Sequence, residues 1–264
     1  MKCSFLLLLA ATMFFTSSCN TAGNKNESNK NGDTTFIVDW TSLSKDFLTW
    51  YNYTYTNVPL SQDFIGLDVD SAKIDKPAFL AKLLKDDVVA YKIMISQGIP
   101  VYKLFAIKPD EAIQTTARQM AETAIAHLKM EGTQIPDFHF TDLDGKEYDK
   151  TSTKGKILVL KCWFIRCGAC VKEFPDLNKL VDEYKNRNDV LFVSLAIDSK
   201  QDLVNFLKTK KFSYTTVPGM SDYMSYQLNV SEYPTHLLID KNGKILKVVN
   251  RIEELVPFLK KEAS

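Results

Sequence analysis

The chain has 264 residues, 45% of them apolar, with 33 basic and 32 acidic side chains and a formal charge of +1. The two signs are mixed along the chain, so there is no basic stripe of the kind nucleic-acid binding needs. Once the amino-terminal segment is set aside, about 230 residues remain, enough for one large domain or two small ones.

That first segment reads as an address. Lys2 supplies a positive start, Phe5 to Phe15 is apolar almost throughout, and Ser17 and Ser18 precede Cys19. This is the order of a secretory signal peptide over residues 1–18. The apolar run falls short of the ~20 residues a spanning helix needs. A cysteine directly after small residues resembles a bacterial lipobox, in which that cysteine becomes the lipid-bearing first mature residue. Thr16 stands where that pattern prefers leucine, and ordinary secretion with an incidental Cys19 is the alternative. Asn20 to Thr34 is almost entirely polar, which predicts a disordered tether over residues 19–34. No later segment is long and apolar enough to cross a membrane as a helix.

Residues 35–131 are a separate region of unknown role. Pro109 to Met130 predicts a helix: Pro109 suits its first turn, Ile113, Ala117, Met120, Ala124 and Leu128 share a face, and Gly132 can end it. A short strand is expected at Val101 to Ile107 and a helix near Pro77 to Leu84. Trp40, Trp50, Tyr51, Tyr53 and Tyr55 make this region rich in aromatic residues, to be read as core or as a partner surface.

Residues 132–264 alternate strands and helices. Phe138, Phe140 and Leu143 lead into an Asp144-Gly145 turn, and Asp142-x-Asp144-Gly145 lacks the glycine placement of a calcium loop. Ile157 to Phe164 and Val190 to Ile197 are apolar enough to be central strands. Cys170 to Tyr184 carries a helical stripe through Phe174, Leu177, Leu180, Val181 and Tyr184. Lys200 to Lys210 reads as a helix. Thr235 to Ile239 and Ile245 to Val249 flank Asn242-Gly243 as a hairpin, and Ile252 to Lys261 closes as an amphipathic helix. Such an order implies a mixed sheet covered by helices.

The chemistry concentrates where the strand from Ile157 meets the following helix. Cys167-Gly-Ala-Cys170 lies at that junction, where unpaired N–H groups and a partial positive charge stabilise a thiolate. Such settings bring a cysteine below its free value of ~8.5, and Arg166 adds a neighbouring cation. Two intervening residues let the second thiol meet the first within one turn. The competing reading is half a zinc site. Structural zinc takes four ligands, no second Cys-x-x-Cys exists, and His127, His139 and His236 are scattered singly as ordinary polar residues. No metal and no cofactor are therefore expected. Cys162 is an unpaired thiol within the strand, read either as core or as a third redox thiol.

This stretch resembles the strand–Trp–Cys-x-x-Cys opening of the thioredoxin superfamily, and is most similar to envelope thioredoxins of the TlpA/ResA type. Trp163 stands four residues before the first cysteine, as in that family. Glu173 matches a glutamate that assists proton movement there. Tyr233-Pro234-Thr235 matches a loop whose proline is cis and faces the disulfide. The likeness covers residues 132–264 and implies a thioredoxin-like α/β fold, a mixed central sheet flanked by helices, preceded by a smaller, mainly helical α+β region. It implies Cys167 and Cys170 as the redox pair, Glu173 as proton acceptor for Cys170 with its pKa raised by burial, and Trp163, Tyr233, Pro234 and Thr235 as substrate contacts. Gly168-Ala169 departs from the Gly-Pro of thioredoxin, and Arg166 replaces a common tryptophan. Lys161 occupies the position of a buried aspartate or asparagine. Its amine either helps hold Cys170 as thiolate or reaches solvent along a packed stem. Lys161 and Arg166 are thus the residues expected to tune the pair.

The resemblance further implies a disulfide reductase of envelope proteins, re-reduced by a membrane thiol-transfer protein, lipid-anchored and facing the periplasm. Asn20 following Cys19 weakly favours the outer membrane. Two rivals stay open: a thiol peroxidase, for which the Pro-x-x-x-Thr/Ser-x-x-Cys context is missing before Cys167, and a non-catalytic binding lipoprotein that keeps a structural disulfide.

Overall fold

The computed structural model describes residues 26–28, 33–36, 39–108 and 110–264. The signal-like segment 1–18, the proposed lipid site Cys19 and Pro109 lie outside the described residues.

The first half is built on a six-stranded sheet in the order β1-β2-β5-β6-β3-β4. Its elements run β1 (Asn26–Ser28), β2 (Thr34–Phe36), α1 (Trp40–Leu43), α2 (Phe47–Asn57), β3 (Ile65–Leu67), β4 (Lys73–Ile74), α3 (Lys76–Lys85), β5 (Val88–Ser96), β6 (Ile99–Ala106) and α4 (Glu111–Met130). Part of the segment expected to be a disordered tether is extended instead. β1 pairs with β2, which adds to the edge of β5. Thr34, Thr35 and Phe36 are strand-forming types, a local preference that the polar composition of the whole segment hides. β5 and β6 form a hairpin whose turn residues Gln97 and Gly98 both take positive φ, +50° and +82°, the requirement of a tight primed turn. α2 and α4 begin alike: the Asp46 carboxylate accepts Thr49 N–H at 2.8 Å, and that of Asp110 accepts Ile113 N–H at 3.0 Å. Each satisfies an otherwise unpaired first-turn donor.

The second half follows the expected order closely. It comprises β7 (His139–Thr141), β8 (Glu147–Asp149), β9 (Ile157–Trp163), α5 (Gly168–Lys172), α6 (Phe174–Tyr184), β10 (Val190–Ala196), α7 (Lys200–Leu207), β11 (Thr215–Val217), β12 (Thr235–Ile239), β13 (Ile245–Val249) and α8 (Ile252–Glu262), with a π-helical turn at Tyr223–Gln227. β11, β10 and β9 are parallel; β12 and β13 continue the sheet antiparallel, in the order β11-β10-β9-β12-β13. This is the thioredoxin-like arrangement. Every residue of β9 is buried, as a central strand covered on both faces requires. Its alternation sorts the core. Ile157, Val159 and Trp163 join Cys170, Phe174 and α8 on one face, while Leu158, Leu160 and Cys162 pack on the other with Met224 and Leu237.

Asp142 forms a turn: its Oδ1 accepts the N–H groups of Asp144 and Lys146, at 3.0 and 2.9 Å. The helix expected over Cys170 to Tyr184 is broken at Glu173, which ends α5 and begins α6. Pro175 is the physical reason, since it brings no N–H and its ring crowds the carbonyl four residues earlier.

Candidate active site

Cys167 is the N-cap of α5, and its sulfur accepts the Cys170 N–H at 3.1 Å. The two cysteines are joined in a disulfide. The preceding turn is held by Ile165 N–H on Asp198 Oδ2, at 2.8 Å, and by Cys167 N–H on Phe164 O, at 3.1 Å. Cys167 keeps 7% of its surface and Cys170 none, so an incoming sulfur can meet only the first. Arg166 is exposed beside it.

Three residues after Cys170, Glu173 is the centre of a buried cluster that the sequence reading only half anticipated. The break at Glu173 turns its carboxylate inward. Oε2 accepts from Lys161 Nζ at 2.5 Å and lies 3.0 Å from His236 Nε2; Oε1 accepts the Ile252 N–H at 3.1 Å. Glu173 therefore also caps the start of α8, where Arg251 supplies no side-chain cap. Burial works to raise the Glu173 carboxyl, as expected. The attraction and hydrogen bonds of His236 and Lys161 outweigh it and hold the carboxyl down at about 2. The expected rise is thus reversed, and the ground state holds an ionised carboxylate, a poor proton acceptor.

Burial lowers both Lys161 and His236, and Lys161 lowers His236 further. Two full cations against one buried carboxylate are costly, so the consistent state is Lys161 charged and His236 neutral. With Glu173 ionised, His236 Nε2 must carry the proton. Its Nδ1 is then a bare acceptor, and it is buried with no hydrogen-bond partner among the described residues. Lys161 is fully buried, which overturns the reading in which its amine reaches solvent: the partner carboxylate is inside. His236 was taken for an ordinary polar residue. The available signal was its place two residues after Pro234, alternating with Leu238 towards the helix layer.

The expected substrate contacts divide. Tyr233 and Pro234, joined by a cis peptide bond, line a cleft together with Ala169 of the redox motif. Trp163 does not. It is fully buried against Phe174, Phe206 and Phe212, a core position dictated by the inward alternation of β9. Thr235 is also buried, its hydroxyl donating to Glu232 O at 2.7 Å. Cys162 lies on the opposite sheet face from the pair, and burial pushes its thiol up to about 12, so it is core.

The Redoxin family matches residues 130–256. The ResA thiol-disulfide oxidoreductase of Bacillus thuringiensis subsp. konkukian is 31% identical over 137 residues, half of this chain and 79% of that protein. The chain belongs to the ResA-type thiol-disulfide oxidoreductases of the thioredoxin superfamily. ResA of Geobacillus thermodenitrificans is likewise 31% identical, over 45% of this chain and 68% of its own. Among solved structures, a thiol-disulfide oxidoreductase of Bacteroides fragilis aligns at 22% identity and TM-score 0.45, over 49% of this chain and 98% of that one. The exposed lipoprotein thioredoxin of Streptococcus pneumoniae aligns at 26% and 0.42, over 48% and 99%. Thiol-disulfide oxidoreduction is accordingly the activity of the second half, the half that holds the Cys167–Cys170 disulfide.

Proposed function

We propose that this oxidoreductase works as a reductase of disulfide-bonded proteins in the bacterial cell envelope. The observation that carries the roles is the asymmetry of the pair, with Cys167 at the surface on a helix start and Cys170 sealed behind it. In the dithiol form the Cys167 thiolate attacks a substrate sulfur. The substrate S–S bond breaks, and its other sulfur leaves as a thiolate that takes up a proton. Cys170 then loses its proton and attacks Cys167, releasing the second substrate thiol. Two electrons and two protons pass to the substrate, and a membrane dithiol protein restores the pair.

Glu173 acts here as a positioning residue. It anchors Lys161 and His236 on the face of the sheet that carries Cys170. There the Lys161 charge favours the Cys170 thiolate, and the free Nδ1 of His236 is the group able to take a proton. Cys19 carries the lipid that tethers the protein to the membrane, facing the periplasm.

Three experiments test this reading. Rapid alkylation of intact cells reports the redox state of the pair. A reductase is held mainly as dithiol, and a pair held mainly as disulfide reverses the direction. A Cys170→Ser variant should accumulate envelope proteins joined to Cys167. Fatty-acid labelling that survives Cys19→Ala would remove the anchor.

A further inference from the structure

α2 and α4 of the first half stand on either side of a cleft of about 650 Å³ whose far end is the redox motif. On α2, Phe47, Tyr51 and Tyr55 follow at intervals of four residues, and so share one face. Their rings stack in a ladder, at 5.6 Å and then 5.9 Å between centroids. Tyr55, in the last turn of α2, is 48% exposed. On α4 the wall runs from Thr116 to His127. From the first to the last of these residues the helix rises about 16 Å, the length of about five residues of extended chain. Ala169 and Pro234 close the end beside the cysteines.

Two polar atoms in these walls have no hydrogen-bond partner among the described residues: Thr54 Oγ1 on α2 and His127 Nδ1 on α4. Their residues are 5% and 6% exposed. Buried polar groups are ordinarily satisfied, so two unpartnered ones on residues that line one cleft mark places where a ligand, with a small side-chain adjustment, would supply the partner. Burial first, then the Lys76 and Lys247 cations, holds His127 down at about 4. Its ring is neutral near pH 7, with one donor and one acceptor nitrogen to offer.

We propose that the first half is a substrate clamp, and that this cleft binds an extended polypeptide segment flanking the substrate cysteine, with an aromatic side chain on the Phe47–Tyr51–Tyr55 ladder. The inference rests on the disulfide-reductase reading. A polypeptide is the occupant because the cleft is continuous with Ala169 and Pro234, so what fills it is covalently attached to the reacting sulfur. Its backbone amides also offer what neutral Thr54 and His127 lack. A small disulfide reaches Cys167 without entering the cleft.

The test compares insulin, a disulfide-bonded polypeptide, with hydroxyethyl disulfide, on the full chain and on two variants. Tyr55→Ala removes the exposed end of the ladder; Thr123→Trp fills the space between the helices. The expected result is a fall of at least about tenfold in the ratio of kcat/KM for insulin to that for hydroxyethyl disulfide, carried by KM. A ratio within about twofold of wild type in both variants overturns the clamp. Unchanged thermal unfolding midpoints show that the variants fold. A second measurement is independent of turnover: anisotropy of a labelled insulin B chain with its cysteines replaced by serine. Wild-type protein should bind it at least about tenfold more tightly than Thr123→Trp. No binding by the wild type up to about 1 mM overturns the clamp even if turnover is normal. Binding without reduction of either disulfide overturns the reductase reading instead.

Discussion

The Nε2 of His236 lies 3.0 Å from the same Glu173 oxygen that Lys161 Nζ meets at 2.5 Å. Two groups from adjacent strands, paired in register across β12 and β9, thus converge on one carboxylate supplied by a broken helix. Removing that charge strands a fully buried lysine. Glu173→Gln should cost about 3–5 kcal/mol, the cost of breaking a buried pair from one side, read from urea unfolding of the oxidised protein. Glu173→Gln with Lys161→Met should recover much of that loss, because the uncompensated charge is gone. A single variant within about 0.5 kcal/mol of wild type would mean that the carboxylate does not hold the cluster.

The same cluster sets an acid limit. The Glu173 carboxyl has an ordinary value of 4.5 and is held at about 2 in the fold. A depressed acid contributes stability above its unfolded value and loses it as pH falls from 4.5 towards 2. His127 behaves differently. Its fold value of about 4 against 6.5 means that the unfolded chain takes the proton first, so stability is lost as pH falls from 6.5 to 4 and is level below. His236 is lowered too and adds to the upper window. Unfolding measured from pH 7 to 3 should therefore show two stages. His127→Gln should flatten the upper stage by up to one proton and leave the lower one. A pH slope in that variant equal to wild type between 6.5 and 4 would show that His127 is not neutral in the fold.

The three described thiols should react in a fixed order once the pair is reduced. Cys167 keeps a little surface at a helix start, Cys170 is sealed, and Cys162 is buried on the far face with its thiol pushed up to about 12. Brief iodoacetamide treatment near pH 7 should mark Cys167 alone by peptide mass. Cys162 should label only on unfolding. Early labelling of Cys170 or Cys162 would refute the assigned roles.

The second half was legible because its signals are local: apolar strands, Asn242-Gly243 and the cysteine pair each fix their own surroundings. What stayed hidden depends on distant partners. Nothing near Lys161 in sequence says that its amine meets a carboxylate twelve residues on, and burial alone gives the wrong sign for Glu173. The alternation that places Trp163 inward was readable, yet the family likeness suggested a substrate contact. In the first half, α2 was missed because Trp50, Tyr51, Tyr53 and Tyr55 are strand-favouring types. The Asp46 cap and the four-residue spacing of Phe47, Tyr51 and Tyr55 carried the helix instead. β5 was missed although Val88 to Ser96 runs straight into the Gln97-Gly98 turn.

The two halves are pinned by a second buried lysine. Lys247 on β13 is nearly inaccessible and meets Glu131, just after α4, at 3.3 Å, and the exposed Asp63 at 3.1 Å. Glu131 Oε1 also accepts the Val248 N–H at 3.2 Å. Opposite outcomes are expected from the two sides of this contact. Glu131→Ala leaves Lys247 buried with one solvent-screened partner and orphans a backbone donor, so it should destabilise by about 3–5 kcal/mol. Lys247→Met removes the charge and keeps the stem volume against the Phe258 ring, over which the amine sits 4.8 Å from the centroid. Replacing a buried ion pair with packed apolar atoms is commonly neutral or stabilising by about 1–4 kcal/mol, and Glu131 is left near enough to the surface to be hydrated. Urea unfolding of both variants decides the matter. Equal destabilisation would mean that the pair itself holds the halves together, whereas loss confined to Glu131→Ala assigns the cost to the stranded charge.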